Sequence, residues 1–81
     1  MPHTDTLTTK VYEIIHQATR VPLEKISLNA ELEDLVDDSI QLFQLILSFE
    51  EAFGMRAKYQ DLMKIITVGD IVDYLKKIQS L

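Results

Sequence analysis

From Leu23 onward this chain contains no proline, its only glycines are Gly54 and Gly69, and strict apolar/polar alternation is nowhere found. A chain so sparsely punctuated cannot make the frequent tight turns a small sheet needs, so its periodic segments read as helices. At 81 residues there is room for one domain, taken here as residues 1–81. An apolar content of 47% suffices to close one core at that size, with little left over for a deep catalytic cleft.

The expected class is all-α, a small four-helix bundle with a long first connection and a short third helix. The first helix should run from about Asp5 to Ala18. Leu7, Val11, Ile14, Ile15 and Ala18 recur on one side of it, leaving Lys10, Glu13 and Gln17 to solvent. Pro22 should stop it by disfavouring helical geometry at Val21. The connection from Arg20 to Asp38 is too long to lack structure. A single turn after Pro22 is expected, with Ile26, Leu28, Leu32 and Leu35 pinning the rest to the core. The stretch Glu31–Asp38 holds five acids and no base.

The second helix, from about Ser39 to Phe53, ends at Gly54 as a left-handed cap. Leu42, Leu45, Ile46, Phe49, Ala52 and Phe53 form a broad apolar arc with Phe43 at its edge. Ile40 and Leu47 fall outside that arc, on a stripe shared with Gln44 and Glu51. A helix apolar over so much of its circumference is central to its bundle and also has an outer surface to cover. A short helix is expected near Tyr59–Lys64. A last helix should begin at the capping-box pattern Thr67-Val68-Gly69-Asp70, burying Val68, Ile71, Val72, Leu75 and Ile78.

Charge and composition exclude several functions. The net charge of −5 opposes binding to nucleic acid, which needs a basic face, and suits docking to basic patches on other proteins. Without cysteine there is neither a disulfide nor a thiolate metal site. Apolar runs are too short to span a bilayer, and the start lacks the features of a secretory signal, so a cytoplasmic protein is expected. His3 and His16 have no partner pattern for catalysis or metal binding, so no metal site is assigned and no enzyme activity is expected. Tyr12, Tyr59 and Tyr74 read as boundary residues, ring inward and hydroxyl outward.

The feature requiring explanation is Asp37-Asp38-Ser39-Ile40, at the threshold of the central helix. A serine there sits where backbone N–H groups favour an anion, so a phosphodiester on its oxygen would be electrostatically suited. The flanking carboxylates would repel such a group, but they suit docking to a basic modifying enzyme or to a shared metal ion. Taken alone, the tetrapeptide is explained by helix capping.

The wider pattern adds to this. Leu32-Glu33-Asp34-Leu35, then Asp38-Ser39-Ile40, leads into a helix ending Phe49-Glu50-Glu51-Ala52-Phe53, followed by Ile65-Ile66-Thr67-Val68-Gly69-Asp70-Ile71-Val72-Asp73-Tyr74-Leu75. This resembles the acyl carrier proteins over nearly the whole chain, with Ile40 where the family has leucine. The resemblance implies that Ser39, preceded by Asp38, receives 4'-phosphopantetheine from coenzyme A through a magnesium-assisted phosphopantetheinyl transferase. The cargo would then be a thioester-linked acyl group, presented to acyltransferases, ketosynthases or related enzymes of fatty-acid, polyketide or specialised biosynthesis. It further implies a monomer, a docking face of Asp37, Ile40, Gln44, Leu47, Glu51 and Arg56, and an acyl pocket walled by Phe43, Ile46, Leu47, Ile65 and Ile71.

The chain departs from the family on that face. Gln41, Gln44 and Ser48 stand where acids are usual, Arg56 and Lys58 replace acidic or neutral residues, and Val36 replaces a frequent glycine. Such changes alter partner choice and association rate more than fold. They put a housekeeping role in fatty-acid synthesis in doubt and leave a dedicated carrier for a specialised polyketide, lipid or hybrid pathway on at least equal terms with it. Two rivals remain at this point: a peptidyl, aryl or D-alanyl carrier, and an unmodified helical module that binds a partner through Ile40 and Leu47.

Overall fold

The computed structural model describes residues 6–79, so the expected start at Asp5 lies outside the described residues, as does His3. The elements are α1 (Thr6–Thr19), a 3₁₀ turn (Leu23–Lys25), α2 (Leu32–Leu35), α3 (Ser39–Phe53), α4 (Tyr59–Leu62) and α5 (Val68–Gln79). The chain is all-α, with three long helices about one core and three short helical turns on its connections. One of these, α2, falls within what reads in sequence as an acidic connection.

The core takes Val11 and Ile15 from α1, Leu45, Ile46 and Phe49 from α3, and Val68, Ile71, Val72 and Leu75 from α5. Ile26, Leu32 and Leu35 close it from the first connection. Helix α1 packs along α3 and against α5. Lys10 of α1 also lies over the ring of Phe53, 5.4 Å from its centroid, a cation–π contact at the far end of α3. Ala18 and Ala52, placed on buried faces by their periodicity, are exposed. They border a shallow groove between α1 and α3 together with Ile14, Gln17, Ser48 and Glu51. Small side chains at the margin of a helix contact leave room there rather than fill it.

Helix ends follow local chemistry. Helix α1 stops before Pro22 acts, because Arg20 turns left-handed (φ 65°). Its N–H donates to His16 O at 2.7 Å, Thr19 Oγ1 donates to Ile15 O at 2.7 Å, and Val21 N–H donates to Thr19 Oγ1 at 3.2 Å. His16 Nδ1 lies 2.7 Å from Val21 O, so this histidine secures a helix end. Helix α3 ends at Gly54 (φ 61°), whose N–H reaches Glu50 O. An added Cβ there would touch nothing, so glycine is required by backbone conformation alone.

Residues 28–32 are held to residues 66–69 by a backbone clasp. Glu31 and Thr67 form an isolated antiparallel bridge. Leu32 N–H donates to Ile66 O (2.8 Å), Val68 N–H to Ala30 O (2.9 Å) and Gly69 N–H to Leu28 O (2.9 Å). Leu28 therefore anchors its segment through its carbonyl. Its side chain, expected in the core, is exposed.

The clasp leads directly into the capping box of α5. Asp70 Oδ2 accepts from Ile66 N–H at 2.9 Å and Thr67 N–H at 3.0 Å, while Thr67 Oγ1 accepts from Asp70 N–H at 3.1 Å. These bonds, the one from Thr67 N–H foremost and Ile66 N–H next, hold the Asp70 carboxyl below its ordinary value of 3.8 against a smaller opposing effect of burial.

Candidate functional site

Ser39 is the first residue of α3 and is exposed. The capping role belongs to its neighbour: Asp38 is extended (φ −159°, ψ 178°), and its Oδ1 accepts from Gln41 N–H at 2.8 Å. Gln41 answers through its own side chain, whose Oε1 accepts from Asp37 N–H at 2.6 Å. The two residues preceding Ser39 are thus fixed by reciprocal bonds to Gln41, and the serine hydroxyl is left on the rim of the helix end. In any helix the first N–H groups lack intrahelical acceptors, so the Ser39 oxygen stands where a phosphate is electrostatically favoured.

Beside it lies a cleft of about 200 Å³ lined by Glu33, Val36, Asp37, Asp38, Ser39 and Leu42. Its floor is aliphatic and its rim acidic. A phosphopantetheine group fits this place: the hydroxyl is accessible, and the helix N-terminus favours its phosphate against the repulsion of the neighbouring carboxylates. Ser48, by contrast, donates its hydroxyl to Gln44 O at 3.1 Å.

Running from Ser39 along the outside of α3 is an apolar stripe. Ile40 is 68% and Phe43 59% exposed, and Leu47 is exposed as well. Gln44 and Glu51 lie on the same face. Leu47, Glu51 and Arg56 line one groove with Glu50, Gly54 and Met55, and Asp37 stands at the other end beside Ser39. The structure therefore brings Ile40, Gln44, Leu47 and Glu51 together along α3, with Arg56 just past its end.

The five residues assigned to the walls of an acyl pocket do not share one cleft. Ile46 and Ile71 are in the core, Phe43 and Leu47 lie on the outer stripe, and Ile65 is half-buried at a separate cleft. Phe43 differs from its assignment because it sits at the edge of the apolar arc, where Leu42, Ile46 and Phe49 already fill the inner face.

That separate cleft, about 620 Å³, lies between residues 55–65 and α5. Met55, Ile65 and Ile78 give it apolar surface, and Arg56, Lys58, Lys64 and Lys77 surround it. Tyr74 donates its hydroxyl to Asp61 Oδ2 across it at 3.0 Å. Burial first, and the bond to Asp61 second, push the Tyr74 phenol above its ordinary value. Tyr12 and Tyr74 are half-buried, as boundary residues should be, although the Tyr74 hydroxyl turns to Asp61 and not to open solvent, whereas Tyr59 is 76% exposed. The cation ring went unrecognised in the sequence because Lys77 comes from a different helix. Only its location between two elements gathers the four.

Among the described residues no group of three or more His, Asp or Glu side chains is placed to hold a metal ion. Among them too, no helix is long and apolar enough to cross a membrane.

Two comparisons with known proteins bear on the family of this chain. A family described as "phosphopantetheine attachment site" matches residues 9–75. An acyl carrier protein of Thermotoga maritima is 42% identical over 69 residues, covering 84% of this chain and 85% of that protein.

Proposed function

The chain belongs to the acyl carrier family of phosphopantetheine attachment proteins, and on that premise we propose that Ser39 bears its covalent 4'-phosphopantetheine. When attached, the arm supplies a terminal thiol on which an acyl group is held as a thioester. The chain's own part is that of a carrier. Ser39 Oγ provides the point of attachment, Asp38 and Gln41 hold the helix end rigid around it, and the first turn of α3 favours the phosphate by about 0.3–1 kcal/mol.

One observation carries the assignment to Ser39. Asp38 performs the capping, which leaves the exposed Ser39 hydroxyl without a capping role. The exposed Ile40, Phe43 and Leu47 beside it suit a modifying or acyl-transferring enzyme that must reach the same oxygen. Asp37, Gln44, Glu51 and Arg56 would supply the polar part of that docking face. Its reduced negative charge along α3 favours enzymes of a dedicated fatty-acid, polyketide or related pathway whose docking relies on apolar contact more than on charge.

The test is intact-mass spectrometry after incubation with coenzyme A, magnesium and a broad-specificity phosphopantetheinyl transferase. We expect a gain of one phosphopantetheine, absent in a Ser39→Ala variant that retains its helical spectrum. A gain that persists in that variant would place the arm elsewhere. No gain by folded wild-type protein with several transferases would leave an unmodified interaction module.

A further inference from the structure

The charge of this chain is unevenly distributed. Residues 1–54 hold ten acids and three bases, a net −7, while residues 55–81 hold five bases and three acids, a net +2. Four of those five bases, Arg56, Lys58, Lys64 and Lys77, surround the cleft between residues 55–65 and α5. Two of its three carboxylates are engaged internally, Asp61 by the Tyr74 hydroxyl and Asp70 by two backbone N–H groups. Among the described residues no ion pair involves Lys58 or Lys64, and both are exposed. Interleaved with them in sequence, outside the lining of the cleft, are Tyr59, Met63 (69% exposed) and Ile66, all large, apolar and uncovered.

Apolar surface surrounded by cations is complementary to a surface with acids around an apolar anchor. We propose that this face docks an acidic segment of a partner protein, one carrying Asp and Glu around an aliphatic or aromatic residue that enters the cleft. It is thus a second recognition surface, opposite in polarity to the acidic segment preceding Ser39. Nucleic acid fits poorly, because the net −7 of residues 1–54 would repel a long polyanion. An anionic membrane fits poorly too, since α4 spans only Tyr59–Leu62 and offers no extended amphipathic face. The cleft also does not require the arm, so the inference stands apart from the assignment of Ser39.

The experiment is a selection of random twelve-residue peptides displayed on phage, carried out on the full chain, followed by affinity measurement of the enriched peptides. The comparison variants are Lys58→Gln/Lys64→Gln and Met63→Ser, each checked for an unchanged melting curve and unchanged modification at Ser39. The expected result is a class of net-acidic peptides with an apolar anchor. Their affinity should fall about fivefold in the double lysine variant, fall also in Met63→Ser, and weaken as salt rises. On titration they should shift the backbone amides of residues 55–65 and 73–78, and not those of residues 36–47. Absence of an acidic class, or less than about a twofold change in the lysine variant, overturns the proposal. So does lysine-dependent binding to phosphatidylglycerol vesicles, or lysine-dependent self-association in sedimentation, in the absence of peptide binding.

Discussion

Replacing Asp70 removes one acceptor from two backbone N–H groups at the point where the clasp meets α5. In Asp70→Ala, the N–H groups of Ile66 and Thr67 lose bonds of 2.9 and 3.0 Å. Ile66 is exposed and its N–H can turn to water. Thr67 is half-buried, so its loss is less readily compensated. A capping interaction of this kind contributes about 1 kcal/mol, and a charged acceptor serving two donors raises the total to about 1–2 kcal/mol. A domain of this length has a stability of roughly 4–12 kcal/mol, so the loss is a sizeable fraction. In urea it should move the midpoint by about 1 M, with the slope unchanged.

Asp70→Asn keeps an acceptor and loses the charge, so it should cost less, about 0.5 kcal/mol. The pH dependence separates the two contributions. Because the folded carboxyl titrates below its ordinary value of 3.8, its contribution is fully present above the unfolded value and is lost as pH falls through the folded one. The wild-type protein and Asp70→Asn should therefore converge in stability in acid and differ at neutral pH. The assay is urea unfolding followed by far-ultraviolet circular dichroism across that range. A midpoint shift for Asp70→Ala equivalent to less than about 0.3 kcal/mol at neutral pH, or a wild-type curve parallel to that of Asp70→Asn at every pH, would refute the reasoning.

Phe49→Ala empties the centre of the core and should cost about 3–5 kcal/mol, enough to leave the domain near its unfolding limit at room temperature by calorimetry. Gly69→Ala brings a Cβ to 3.1 Å from Leu28 O, and that carbonyl also accepts the Gly69 N–H. Moving it weakens the clasp, so the variant should melt below wild type despite alanine's better helix propensity. Tyr74→Phe loses the bond to Asp61 and should cost about 1 kcal/mol. In wild type, stability tied to the raised Tyr74 phenol is full below the unfolded value near 10.0 and declines as pH rises through the folded one. The alkaline arm of the stability curve should be flatter in the Phe variant.

What the sequence made legible was local. The Thr67–Asp70 capping box, the Gly54 stop and the periodic cores of α1, α3 and α5 each depend on residues within a turn or two of one another, and each is present. Helix α2 was not legible because Leu32 and Leu35 fit a loop pinned to the core as well as they fit a single helical turn. Leu28 was misplaced for a related reason: its anchoring bond is made by the backbone to Gly69, and side-chain hydropathy carries no trace of that pairing. The exposure of Phe43 depended on how much of the α3 arc other helices could cover. For the site, the adjacency of Asp38 and Ser39 was visible, but which of them caps the helix was decided only by the geometry of the Gln41 N–H.

The bridge between Glu31 and Thr67 has a consequence for how the chain is assembled in time. It joins two points separated by roughly 35 residues, whose closure costs about 3 kcal/mol of chain entropy beyond a constant. Within that closed segment lie Ser39, the whole of α3 and the cation-bearing turn at α4. Once the ends meet, the segment is tethered at both ends to the same point. In native-state hydrogen exchange the amides of Leu32, Val68 and Gly69 should therefore exchange together, as a single cooperative unit whose opening releases both ends of the closed segment.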